Sequence, residues 1–134
     1  MSNLKPTCFI AIACFALSVS YSPPSYAAAD RLAASICEAA KTNNRSQMRK
    51  KLSKARLRLR DIYQGLRCGK EGSLLRVATN ANAMDSAKYI LSKAKKVALS
   101  KKDKDGDNII QYTQKLVDAG DASKQEFLTF YQSK

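Results

Sequence analysis

From Ala29 onward, apolar side chains recur at helical spacing. Ala29, Ala33, Ile36, Cys37 and Ala40 fall at i, i+4, i+7, i+8 and i+11, one face of a helix that Asp30 would open. Asn43-Asn44 interrupts it. Met48, Leu52 and Ala55 mark a second helix, whose other faces carry Arg45, Arg49, Lys50 and Lys54. Residues 56–72 lose this period. Arg56-Leu57-Arg58-Leu59-Arg60 alternates as an extended segment does, which would align its three arginines, and Gly65, Gly69 and Gly72 predict loop. The helical period resumes with Leu74, Leu75 and Ala78, turns at residues 80–82, and continues through Ala87, Ile90, Leu91 and Ala94. A polar turn at residues 103–108 precedes Ile109, Thr113, Leu116 and Val117, and Gly120-Asp121 ends that helix. Ser123-x-x-Glu126 reads as a capping box ahead of Phe127, Leu128 and Tyr131. The expected fold is all-α, about six helices paired into hairpins.

The first residues follow a different pattern. Lys5 precedes an apolar run from Cys8 to Leu17, extended by Ser18-Val19 and broken by Pro23-Pro24. The run is shorter than the roughly 20 residues that span a bilayer. Ser25-Tyr26-Ala27 offers small residues at the −3 and −1 positions of a cleavage site, with Ala29 the second choice. Residues 1–27 are therefore expected to be a signal peptide, and residues 28–134 a single helical domain with no transmembrane segment after cleavage. The expected location is periplasmic or secreted. Cleavage would remove Cys8 and Cys14 and leave Cys37 and Cys68, an even pair in an oxidising compartment, where a disulfide is the default. Closing that loop would stabilise the fold by about 3–4 kcal/mol on the chain-entropy account.

The hairpins repeat. Ser73-Leu74-Leu75-Arg76-Val77-Ala78 lies 35 residues before Asn108-Ile109-Ile110-Gln111-Tyr112-Thr113. With Asn82 at the inter-helix turn and Lys88-Tyr89-Ile90-Leu91 in the second helix, residues 73–94 resemble an ankyrin repeat. Leu74 and Ile109 replace its Pro, and Arg76 and Gln111 replace its His. Residues 33–55 fit the same unit more loosely, with Asn43-Asn44 at the turn. Ser35-Ile36-Cys37-Glu38, Arg49-Lys50-Lys51-Leu52, Leu59-Arg60-Asp61-Ile62-Tyr63 and Gly65-Leu66-x-Cys68 also resemble a family of exported gammaproteobacterial proteins of unknown function. That resemblance implies export and transfers no catalytic residue.

Charge changes the picture most. The chain has 24 Lys+Arg against 11 Asp+Glu, for a net charge of +13, and no His. A His-based triad or His-ligated metal site is excluded. Scattered acids show no paired-carboxylate spacing, so no catalytic residue, metal or cofactor is expected and the protein is read as not an enzyme. The bases are concentrated: residues 41–70 hold eleven against the single acid Asp61, residues 88–104 add seven Lys, and residues 105–134 reverse the sign with five acids against three Lys. A basic face of Arg49, Lys50, Lys54, Arg56, Arg58, Arg60 and Arg76 is the expected binding surface for an unidentified protein or an anionic envelope component. Anionic lipid or lipopolysaccharide is the alternative ligand. Aromatics do not interleave with the basic run, so no specific nucleic-acid recognition is expected. Asp103-x-Asp105-x-Asp107 resembles the opening of an EF-hand loop, but Gln114 stands where a bidentate Glu is required.

Overall fold

A computed structural model describes residues 25–134. The expected leader, apart from its last three residues, lies outside these described residues. The helices are α1 (Ser25–Lys41), α2 (Arg45–Lys54), α3 (Leu59–Ile62), α4 (Leu74–Asn80), α5 (Met84–Ser100), α6 (Ile109–Asp118) and α7 (Gln125–Gln132). Single 3-10 turns lie at Gly69–Glu71 and Ala122–Lys124. No strand occurs among the described residues, and the fold is all-α.

Three local expectations change. α1 begins at Ser25, directly after Pro23-Pro24, so Asp30 lies in its second turn and does not cap it. Residues 56–60 are not extended. Arg56 takes a left-handed conformation (φ 55°) that ends α2, with Leu57 N–H donating to the Leu52 carbonyl at 3.0 Å, and α3 starts at Leu59. A helix terminus followed at once by a new helix imitates period-2 alternation, and it does not align the three arginines. Ser123 does not cap α7. Asp121 accepts from the Ser123 N–H at 3.2 Å and starts a 3-10 turn that runs straight into α7. Among the described residues the capping box is Asn108 with Gln111 at the start of α6, each side chain accepting from the other's backbone N–H at 3.0 Å.

The helices pair as α1/α2, α4/α5 and α6/α7, and α4 lies between α1 and α6. Ile36, Ala39 and Ala40 of α1 and Leu74, Leu75 and Ala78 of α4 are buried, with Met48 and Leu52 of α2 and Ile90 and Leu91 of α5 behind them. Each buried Leu or Ile contributes about 1.5–3 kcal/mol through the apolar area it removes from water. α3 packs on α5, and the Cys37–Cys68 disulfide ties α1 to the segment after α3, with Cα atoms 5.6 Å apart.

The three hairpin turns share one geometry. Asn43 (φ 55°), Asn82 (φ 54°) and Gly120 (φ 100°) are left-handed. The next residue in each case, Asn44, Ala83 and Asp121, donates its N–H back to Ala39, Ala78 and Leu116 at 2.8, 2.8 and 3.1 Å, as in a Schellman cap. The two asparagines also reach the following hairpin. Asn43 Oδ1 accepts from the Ser86 N–H at 3.0 Å, and its Nδ2 donates to Asp85 at 3.3 Å. Asn82 Oδ1 accepts from Lys124 Nζ at 2.6 Å and from the Ser123 hydroxyl at 3.3 Å. The three turns thus repeat one C-terminal cap, and the first two also repeat a cross-link to the hairpin that follows.

Candidate functional site

α2 is capped by Asn44, whose side chain accepts from the Gln47 N–H at 3.0 Å. Burying Met48 and Leu52 leaves Arg45, Arg49, Lys50 and Lys54 exposed. α5 packs against α2 and brings Tyr89 and Lys93, one turn apart, beside Arg49. The result is a cleft of about 490 Å³ between α2, α3 and α5. Arg49, Arg58, Arg60 and Lys93 line it together with Leu52, Leu57, Leu59 and Tyr89. Tyr89 is only 8% exposed, and burial pushes its phenol up against the opposing pull of Arg49.

The arginines of this cleft differ in their partners. Arg58 Nε lies 2.7 Å and Arg60 Nε 3.5 Å from the Asp61 carboxylate. Both pairs are exposed, so each is worth at most about 1 kcal/mol and exchanges readily for another anion. Arg49, Lys50, Lys54, Arg56 and Lys93 have no ion-pair partner among the described residues. Of the residues expected on the basic face, Arg49, Arg58 and Arg60 meet in the cleft. Lys50, Lys54 and Arg56 are exposed nearby without lining it. Tyr89 and Lys93 are not legible in the sequence, because only the stacking of α5 on α2 joins them to the arginines, whereas Leu57 is their chain neighbour.

Arg76 belongs elsewhere. It is 6% exposed, on the central helix α4, and faces the loop before α6. Its Nε lies 2.8 Å from Asp103, its Nη1 and Nη2 donate to Asp105 at 2.8 and 2.7 Å, and Nη2 also donates to the Asp107 carbonyl at 3.0 Å. The guanidinium carbon sits 4.1 Å from the centroid of the Tyr112 ring. Burial pulls the Arg76 pKa down, but Asp105 and Asp103 more than offset it, and the net shift is upward. In return Arg76, helped by the Asp107 N–H, holds the Asp105 carboxyl well below the usual range. This residue fastens the third hairpin to the second and does not lie on the exposed basic face where the sequence placed it. Asp103 also approaches Gly72 (φ 90°) so closely that a Cβ there would lie 3.0 Å from its Oδ1.

The acids that resemble an EF-hand opening are therefore engaged by cations, Asp103 and Asp105 by Arg76 and Asp107 by Lys115. Lys101 is also buried, donating from Nζ to the Tyr63 and Leu66 carbonyls at 3.1 and 2.9 Å. Burial lowers its pKa, and Asp103 opposes the shift. No group of three or more Cys, Asp and Glu is arranged to hold a metal ion among the described residues. No described helix is long and apolar enough to cross a membrane.

A comparison with the curated proteins and with the solved structures gave no match. A family model described as "Protein of unknown function (DUF3718)" matches residues 36–104, from α1 through the disulfide, the basic cleft and α5 to the loop that carries Asp103. With just over half of its length inside that match, the chain belongs to the DUF3718 family.

Proposed function

We propose that the protein is an exported, non-catalytic binding module of the cell envelope that takes an anionic partner on the face formed by α2, α3 and α5. The observation that carries this reading is the cleft itself. Four cations line it, two of them, Arg49 and Lys93, have no ion-pair partner among the described residues, and the arginine forks suit phosphate or carboxylate. Export is supported by the leader-like pattern of residues 1–27 and by the disulfide. The three stacked hairpins and their matching turns support an ankyrin-like architecture, in which neighbouring units jointly form a binding surface. The non-catalytic reading rests on the sequence, which has no His and no paired-carboxylate spacing.

Anionic lipid or lipopolysaccharide is the partner class that one further observation favours, because Leu57 stands exposed beside the arginines. The test is binding of the purified protein to phosphatidylglycerol vesicles, with phosphatidylcholine vesicles as control, across a salt series. Binding is expected at low salt and falls as salt rises. Arg49→Glu, Lys54→Glu and Arg58→Glu together should weaken it at least about tenfold, since they reverse the local field. No binding at low salt, or equal binding by the reversed variant, overturns the reading.

A further inference from the structure

Leu57 lines two adjoining grooves. On one side is the cationic cleft of Arg49, Arg58, Arg60 and Lys93. On the other is a groove of about 390 Å³ between α1 and α3, lined by Leu32, Ala33, Ile36, Ile62 and Leu66. Leu57 is 39% exposed and is the one large apolar side chain standing so open among the described residues. A face that only keeps the protein in solution needs neither the ridge nor the second groove.

We infer that the two grooves form one site for a single anionic amphiphile, a phosphate-headed molecule carrying an acyl chain. Its phosphate lies among the cations of the first groove, and its chain crosses Leu57 into the second. The inference rests on the anion-binding reading above and adds to it the recognition of a chain. Charge sets the orientation. Arg58 and Arg60 share only the exposed carboxylate of Asp61, so an incoming phosphate can replace it. Asp30 and Asp61 line the apolar groove, which disfavours a headgroup there and leaves it to the chain. A nucleic acid would use exposed rings to stack its bases, whereas Tyr89, the ring in the cleft, is almost fully buried.

Calorimetric titration with dodecyl phosphate, kept monomeric below its micellar concentration, tests this against methyl phosphate, which has the same headgroup and almost no chain. Dodecyl phosphate should bind at least about tenfold more tightly, because several methylenes leave water. Leu57→Ser should remove most of that advantage while leaving methyl phosphate unaffected. Ala29→Trp, at an exposed position lining the apolar groove, should do the same by filling it. Arg49→Gln with Lys93→Gln should weaken both ligands. Equal affinity for the two phosphates overturns the amphiphile site and leaves the anionic face to be judged by the vesicle experiment. A chain advantage that survives both Leu57→Ser and Ala29→Trp places the chain elsewhere and also overturns it. Absence of dodecyl phosphate binding overturns the inference whatever the vesicles do.

Discussion

Arg76 and Arg58 make the same kind of contact with opposite consequences. Each lies within 2.8 Å of an aspartate. The side chains of Arg76 and Asp103 are 8% and 6% exposed, and nearly every donor of the guanidinium has a protein partner. Arg58 and Asp61 are 70% and 48% exposed and stand in water. The first arrangement fixes the relation of two hairpins. The second is a loosely held cation whose partner exchanges readily with solvent. Burial, and not charge or residue type, separates an arginine locked between hairpins from one held loosely at the surface, and a count of bases along the chain merges the two.

The sharpest way to break the comparison is Arg76→Ala. It leaves the buried Asp103 carboxylate uncompensated and should cost about 3–5 kcal/mol in denaturant unfolding. The loss should shrink when Asp103→Leu is added, since the orphaned charge is then gone. Gly72→Ala comes next. It forces a side chain into a left-handed position and against Asp103, for an expected loss of about 1–3 kcal/mol in thermal or denaturant unfolding. Asp105→Asn tests the same cluster through pH. Asp105 has its folded-state pKa depressed by Arg76, so its contribution is complete above the unfolded carboxylate value near about 4 and is lost as pH falls through the lower folded value. The stability gap between the native protein and Asp105→Asn should be constant near neutrality and close progressively on acidification below about pH 4. A gap independent of pH would remove Asp105 from the clamp. The smallest effect is expected for Arg58→Ala, within about 0.5 kcal/mol of the parent in unfolding, yet weaker on anionic vesicles. If Arg58→Ala destabilised as much as Arg76→Ala, the distinction between the two regions would fail.

Much of the scaffold was legible in the sequence. The apolar periods of Ile36 to Ala40, Leu74 to Ala78 and Ile109 to Thr113 mark the first helix of each hairpin, and Ser73 and Asn108, 35 residues apart, both precede helices. Cys37 and Cys68 were paired by parity and compartment alone, and they are bonded. What stayed hidden was set by tertiary contact. Arg76 reads as one more base in a basic chain because its partners lie 27 and 29 residues further on, in a loop whose acids look like a metal site. Arg56 to Arg60 read as extended because a left-handed residue ending one helix and an N-cap starting the next happen to space their leucines by two. Of the cleft, the arginines could be named in advance. Tyr89 and Lys93 could not, since nothing in their own helix says which neighbour it will face. Leu57 carried a signal that was available, an apolar residue set between arginines just beyond a helix end.

The asparagine links run in one direction. Asn43 is satisfied by groups from the second hairpin and Asn82 by groups from the third, so each turn is completed by the unit that follows it. Gly120 occupies the equivalent place in the last turn and has no side chain with which to continue the series. Loosening the last hairpin would strip Asn82 of both its partners and take Tyr131 from Thr79, its hydrogen-bond partner at 2.8 Å, while leaving the link between the first two hairpins intact. A local opening of the last hairpin therefore breaks its links to the second and leaves in place those between the first and the second, on which the cleft between α2, α3 and α5 depends.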